Sequence, residues 1–217
     1  CRDFQMKNRL LTSLLILLVS ASAWATESTV ESSPAPGGDA DTGKDKSAMC
    51  AACHGAGGNS IVPNFPKLAA LGEKYLYKQL LDIKEGRRVV VEMTGILGPL
   101  HEQDLRDIAA FYDAQVPAMG VADAELAVRG EEIFRGGDLS TGLPACTGCH
   151  SPTGKGNDPA GYPRLAGQHA AYTAKQLTNF REGERTNDGE AMIMRTIAGR
   201  LSNKDIEAVS NYIQGLR

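Results

Sequence analysis

The sequence carries Cys-x-x-Cys-His twice, and each copy heads a stretch that the other repeats. The motifs are Cys50-Ala51-Ala52-Cys53-His54 and Cys146-Thr147-Gly148-Cys149-His150. After the first come Pro66-Lys67-Leu68-Ala69, Tyr75-Leu76-Tyr77-Lys78-Gln79-Leu80 and Lys84-Glu85-Gly86. After the second come Pro163-Arg164-Leu165-Ala166, Tyr172-Thr173-Ala174-Lys175-Gln176-Leu177 and Arg181-Glu182-Gly183. The features keep their order and nearly their intervals. That implies two homologous domains of about 80–100 residues each, joined near Pro117-Ala118-Met119-Gly120.

The repeat is helical. In the second copy Ile206, Val209, Ile213 and Leu216 fall on one apolar stripe, and Ser202 with Asp205 three residues later reads as a capping box. In the first copy Leu105, Ile108 and Tyr112 hold the matching places, with His101 where the cap should be, a weaker start signal. Tyr75 to Glu85 and Tyr172 to Glu182 read as helices closed by Gly86 and Gly183. Asp123 to Phe134 reads as a helix opening the second domain. Gly130 lowers its propensity and implies close approach to another helix. Val89-Val90-Val91 is too short to carry a sheet, so the fold class is all-α with long irregular loops.

The N-terminus reads as an export signal. Met6-Lys7-Asn8-Arg9 is a basic start, Leu10 to Ala21 an apolar segment, and Ala23-Trp24-Ala25 a small-residue cleavage site. The apolar run is shorter than the roughly 20 residues that span a bilayer. Residues 1–25 are therefore expected to be a cleaved leader, with Cys1 to Gln5 foreign to it. Thr26 to Gly43 is polar and rich in Ser, Thr, Pro, Gly and Asp, and is expected to be flexible. The flexible segment is assigned to residues 26–40, the first domain to 41–118 and the second to 119–217. Cleavage leaves four cysteines, all within the two motifs. The full chain has a formal charge of −3, which argues against a nucleic-acid partner.

Two cysteines three apart lie on one side of a helical turn. Their sulfurs can reach the two vinyl groups of one porphyrin, and the following histidine then lies beneath the ring and can ligate its iron. This is the pattern of covalent c-type haem attachment. A redox dithiol would need a βαβ setting, which the pattern lacks. A zinc site would need further ligands or all four cysteines together across two domains. Haem is also what domains this small, poor in aromatics and rich in Gly/Pro loops, need to fill their centres. Each apo domain is expected to be largely unfolded.

Histidine supplies one axial ligand, His54 or His150. The candidates for the other are Met49, Met93, Met119, Met192, Met194, His101 and His169. Aligning Leu100 with Leu201 and Asp104 with Asp205 pairs Met93 with Met194, seven residues before each leucine. Met192 has no counterpart and is expected to be a packing residue. His101 aligns with Ser202 and His169 with Gly72, so each is expected at the surface or in a cap. A thioether raises the potential relative to a second imidazole. Two filled axial positions leave outer-sphere electron transfer and no catalytic site. Pro66 and Pro163 keep a carbonyl but no N–H, and can accept a hydrogen bond from the histidine Nδ1–H. A plain rigid turn explains these prolines equally well.

With these residues assembled, residues 40–217 resemble cytochrome c4, a dihaem class I c-type cytochrome. The resemblance is carried by Val62-Pro63-Asn64-Phe65-Pro66-Lys67-Leu68, Glu92-Met93-Thr94-Gly95, Pro144-Ala145-Cys146-Thr147-Gly148-Cys149-His150, Phe180-Arg181-Glu182-Gly183, Arg185-Thr186-Asn187-Asp188-Gly189, Met192-Ile193-Met194-Arg195 and Leu201-Ser202-Asn203-Lys204-Asp205-Ile206. It implies two tandem homologous cytochrome c domains related by a pseudo-twofold axis, with two covalent haem c groups. It implies His54/Met93 and His150/Met194 ligation of the irons. It also implies a periplasmic carrier, often membrane-associated, moving electrons from a quinol-oxidising bc1-type complex toward a terminal oxidase. No small-molecule substrate is expected. The family's domains commonly differ in charge. Here the contrast is mild, with 13 acidic and 9 basic residues in 26–118 against 12 and 11 in 119–217. The competing readings are a dihaem peroxidase or dehydrogenase, which needs an open axial position, and a haem subunit fixed in a larger oxidoreductase.

Overall fold

The terminal helices of each half owe their position to one apolar stripe and one glycine. The computed structural model describes residues 37–217. The expected leader at 1–25 and all but the end of the 26–40 segment lie outside the described residues. In the first half the helices are α1 (Ala40–Lys46), α2 (Ala51–His54), α3 (Glu73–Lys84) and α4 (Glu102–Asp113). In the second they are α5 (Ala124–Gly136), α6 (Thr147–His150), α7 (Ala170–Glu182), α8 (Ile193–Ala198) and α9 (Asn203–Gly215). Among the described residues there is no strand, only two isolated antiparallel bridges, Asp138–Leu143 and Asn157–Tyr162. No helix among them is long and apolar enough to cross a membrane.

The stripes read from sequence face the two cores. Leu105, Ile108 and Tyr112 of α4 are buried, and the last two join Leu76 and Ala109 in the first core. Ile206, Val209, Ile213 and Leu216 meet Ile133, Phe134 and Leu143 in the second. Asp104 and Asp205 accept hydrogen bonds from the N–H groups of His101 (2.6 Å) and Ser202 (3.2 Å), which closes the free amides that open α4 and α9. Gly86 and Gly183 follow α3 and α7 with φ near +77°, where a side chain would be strained.

Gly130 lies where α5 crosses α9. A Cβ there would overlap the Ala208 carbonyl and sit 2.6 Å from Tyr212 Cβ. Gly43 plays the same part in the first half: its Cβ would overlap the Asp107 carbonyl and sit 2.9 Å from Phe111 Cβ. Gly43 corrects the expectation that Thr26 to Gly43 is flexible throughout. The segment's end is the helix α1, capped by Asp39, whose carboxylate accepts from the Thr42 N–H at 2.7 Å. Buried Asp107 ties α1 to α4 by accepting from the Asp39 N–H (2.9 Å) and the Lys46 ammonium (2.7 Å). Glycine and aspartate read as loop residues in isolation. Here they serve as the packing notch and the cap.

The halves meet through a hydrogen-bond network that maps onto itself when they are exchanged. Tyr75, Gln79 and Arg88 correspond to Tyr172, Gln176 and Arg185 under the repeat. Arg88 donates to Gln79 Oε1 in its own half (2.8 Å) and to Tyr172 Oη and Gln176 Oε1 in the other (both 3.0 Å). Arg185 donates to Gln176 Oε1 in its own half (2.8 Å) and to Tyr75 Oη (3.2 Å) and Gln79 Oε1 (2.8 Å) in the other. That reciprocity is the mark of the pseudo-twofold axis. The Gln168 side-chain amide adds a paired contact to the Lys67 backbone, its Oε1 accepting from the Lys67 N–H and its Nε2 donating to the Lys67 carbonyl, both at 2.9 Å.

His169 also spans the halves, with Nε2 at 2.8 Å from the Ser60 carbonyl. Burial, with the Lys67 ammonium adding to it, holds this imidazole's pKa below its ordinary value of 6.5, against the opposing pull of the Ser60 bond. A base whose folded pKa is depressed stabilises the fold fully above its unfolded pKa. That contribution falls as the pH drops below it. Unfolding measured at about pH 7.5 and about pH 5.5 is expected to show a loss of stability at the lower pH. The loss is expected to shrink in His169→Gln; an unchanged loss would remove His169 as its source. Gly130→Val, which must push α5 from α9, is expected to destabilise the second half by about 1–3 kcal/mol in chemical denaturation.

Candidate haem sites

In each half the motif forms a single helical turn. Cys50 and Cys146 precede α2 and α6 with α-helical backbone angles, so Cys53 and Cys149 follow them on the same side. None of these four cysteines is in a disulfide. His54 and His150 end these turns and are buried. The chain then turns sharply. Gly55 has φ 77° and ψ 162°, and Ser151 has φ 68° and ψ 156°. Glycine adopts that region freely, whereas a serine there is strained by about 1–3 kcal/mol. The same backbone in both halves, whatever the residue, marks a turn that the site requires.

The turn returns the chain to the histidine. Nδ1 of His54 lies 2.9 Å from the Pro66 carbonyl, and Nδ1 of His150 lies 2.9 Å from the Pro163 carbonyl. A proton on Nδ1 donates to that carbonyl and leaves the Nε2 lone pair free for a metal. Burial pushes both imidazole pKa values down, which favours the neutral ring that a metal needs. The residue before each proline is aromatic and packs on the ring. The Phe65 centroid lies 6.4 Å from that of His54, and Tyr162 lies 6.2 Å from His150. Sequence reasoning missed this aromatic-Pro pair. The repeat held the signal, because Phe65-Pro66 and Tyr162-Pro163 stand at matching positions.

Met93 ends a tight 3-10 turn, Val91–Met93, and is half-buried. Met194 is also half-buried, in the first turn of α8. Asp188 pins the Met194 segment by accepting from the Arg195 N–H (2.9 Å) and Nε (2.6 Å). Met192 corrects an expectation: it caps α8 with left-handed backbone, φ 46°, and is 47% exposed, so it is not core filler. Met49 is exposed. Met119 lies against the second core, its sulfur 4.0 Å from an Arg164 nitrogen. His101 is an exposed helix cap.

The donor set fits haem better than its rivals. Burial raises the Cys50 thiol pKa and pushes that of Cys146 up to about 11. A redox dithiol needs the opposite shift. Among the described residues no group of three or more His, Cys, Asp or Glu side chains gathers as a metal cage, which a zinc site would need. What remains is two thiols and one oriented imidazole per half, as a covalently held porphyrin requires.

The family profile for cytochrome c matches residues 40–113 and 127–217. A cytochrome c4 from Stutzerimonas stutzeri is 58% identical over 96% of this chain and 99% of its own length. The chain belongs to the cytochrome c4 family. A second cytochrome c4, from Azotobacter vinelandii, is 55% identical over 97% of this chain and 100% of its own. The crystal structure of reduced recombinant cytochrome c4 from Pseudomonas stutzeri superposes with a TM-score of 0.82 at 62% identity. It covers 83% of this chain and 100% of that one. As a member of this family, the chain carries two covalently bound haem c groups and is an electron carrier, not an enzyme.

The cores themselves are small. The first rests on four fully buried apolar side chains, Leu76, Ile108, Ala109 and Tyr112, with Cys50 against them. Protein expressed without haem attachment is therefore expected to lose most of its helical circular-dichroism signal, the first half most completely. Native helicity in the haem-free chain would show that the cores suffice alone.

Proposed function

We propose that His54 with Met93 and His150 with Met194 close the two irons. The cysteine pairs Cys50/Cys53 and Cys146/Cys149 anchor the porphyrins, and the Pro66 and Pro163 carbonyls orient the histidines. One observation carries this reading: both halves hold an imidazole at 2.9 Å from a proline carbonyl and a half-buried methionine at the same place in the repeat. Iron in a porphyrin, when bound, supplies the one-electron couple. The chain does the rest. The carbonyls hold each ring in one tautomer and orientation, and burial keeps it neutral. The Met93 and Met194 thioethers would be the second protein ligands of the irons, where they would exclude other ligands and raise the potential. The interdomain network fixes the two halves relative to each other. Little then moves when the charge changes.

The carrier reading extends to a route. The export-type sequence at residues 6–25, which lies outside the described residues, supports a periplasmic location. There the chain takes single electrons from a quinol-oxidising bc1-type complex and passes them to a terminal oxidase, with peripheral membrane association. The weak overall charge points to contacts steered by local patches and not by one polarised face.

Met93→His and Met194→His are each expected to remove one thioether-to-iron absorption band and lower one of the two potentials, leaving the other intact. An unchanged spectrum in either variant would falsify that ligand. For the route, reduction by isolated membranes is expected to stop when the quinol-oxidising complex is inhibited. Reduction that continues unchanged would rule out that donor.

A further inference from the structure

The repeat is broken at one place where the chain could easily have kept it. In the first half α3 and α4 are bridged by a stacked triad. The Arg106 guanidinium lies 4.1 Å over the Tyr77 ring and donates to Tyr77 Oη (3.0 Å) and Glu102 Oε1 (2.6 Å). The Tyr77 hydroxyl donates to the same Glu102 oxygen at 2.5 Å. Under the repeat, Tyr77, Glu102 and Arg106 correspond to Ala174, Asn203 and Glu207. The aromatic ring is lost and the cation is replaced by an anion. Between α7 and α9 this leaves an open cleft of about 440 Å³, mostly apolar, lined by Ala170, Ala174, Thr178, Ile206, Glu207 and Ser210 among others.

Two further observations set its chemistry. The Ser210 hydroxyl on the cleft wall is buried and finds no hydrogen-bond partner among the described residues, while its counterpart in the first half is Ala109. A buried hydroxyl left unpaired is costly, so an occupant that bonds to it is favoured. Glu207 is exposed on the rim where the first half carries its arginine. The first half thus displays, built in, the kind of group that fills this space: a phenol ring with a cation beside it.

We propose that the α7–α9 cleft of the second half is a docking site for a partner protein that presents an aromatic side chain flanked by a basic one. The ring takes the place that Tyr77 holds between α3 and α4, against Ala174 and Ile206. Its hydroxyl reaches toward Ser210, and the cation pairs with Glu207. An apolar anchor seated in a pocket with a charged rim is how a transient contact gains specificity. The first half cannot offer the same seat, because its own triad already fills it. The partner therefore engages one half only and approaches the carrier in one orientation.

The test uses the reduced, diamagnetic holoprotein with labelled alanine methyl groups and small probes. N-acetyl-Tyr-Arg-amide is expected to shift the Ala170 and Ala174 methyl resonances saturably. It is expected to bind about two- to fivefold more tightly than N-acetyl-Tyr-Glu-amide, the scale of one exposed ion pair. Ala174→Tyr with Glu207→Arg, which rebuilds the first-half triad, is expected to abolish the shifts. If that double variant fails to fold, Glu207→Gln alone is expected to erase the preference for the basic probe. The proposal is overturned if the Ala174 methyl does not respond. It is equally overturned if the acidic probe binds as well, or if the preference survives Glu207→Gln. Tyramine matching the basic dipeptide would also overturn it, by pointing to a small phenolic amine instead of a protein segment.

Discussion

A histidine can hold an iron in one place only if its own ring is held first. In both halves a backbone carbonyl does this, at 2.9 Å from Nδ1, and an aromatic ring braces the imidazole from the side. Much of the local architecture serves that contact. The motif must end in a helical turn so that the histidine follows the cysteines on the porphyrin side. The next residue must take positive φ so that the chain doubles back, as Gly55 does freely and Ser151 does under strain. Proline is well suited to the far end of the loop. Its fixed φ stiffens the carbonyl's direction, and it brings no N–H needing a partner.

The contact between the halves works by different physics. Arg88 and Arg185 sit at the interface, bonded mainly to amide and phenol oxygens. Hydrogen bonds to a charged group are worth about 1.5–3 kcal/mol each, and losing one partner leaves a buried charge exposed to the full penalty. Such a network is directional, unlike a greasy contact that tolerates sliding. It suits a carrier with two redox centres, where a fixed separation matters more than tight association.

Duplication followed by divergence left a readable division of labour. Kept in both halves are the two motifs, Pro66 and Pro163, Met93 and Met194, and the Tyr–Gln–Arg sets that bond across the interface. Other positions have parted. Tyr77, Glu102 and Arg106 became Ala174, Asn203 and Glu207, which opens a cleft on one half only. Asp82, buried and bonded to Lys78, Arg87 and Asn187, corresponds to Asn179. The two halves therefore present different surfaces around the same inner design.

Sequence alone determined the fold class, the duplication, the two Cys-x-x-Cys-His motifs and the matching places of Met93 and Met194 in the repeat. Each of these follows from spacing that a short helix or a repeat must obey, so no distant contact was needed to see it. The stripes of α4 and α9 were legible for the same reason. Where a residue's meaning depends on something far along the chain, the sequence fell short. Asp39 and Gly43 read as loop because nothing local says that α4 lies against them. Met192 read as packing because its left-handed cap is visible only in the backbone. The aromatic brace at Phe65 and Tyr162, the crossed arginine network and the unfilled cleft were decided only by the tertiary structure. It alone brings together side chains separated by dozens of residues, and a hydrogen bond or a void exists only once both of its sides are in place.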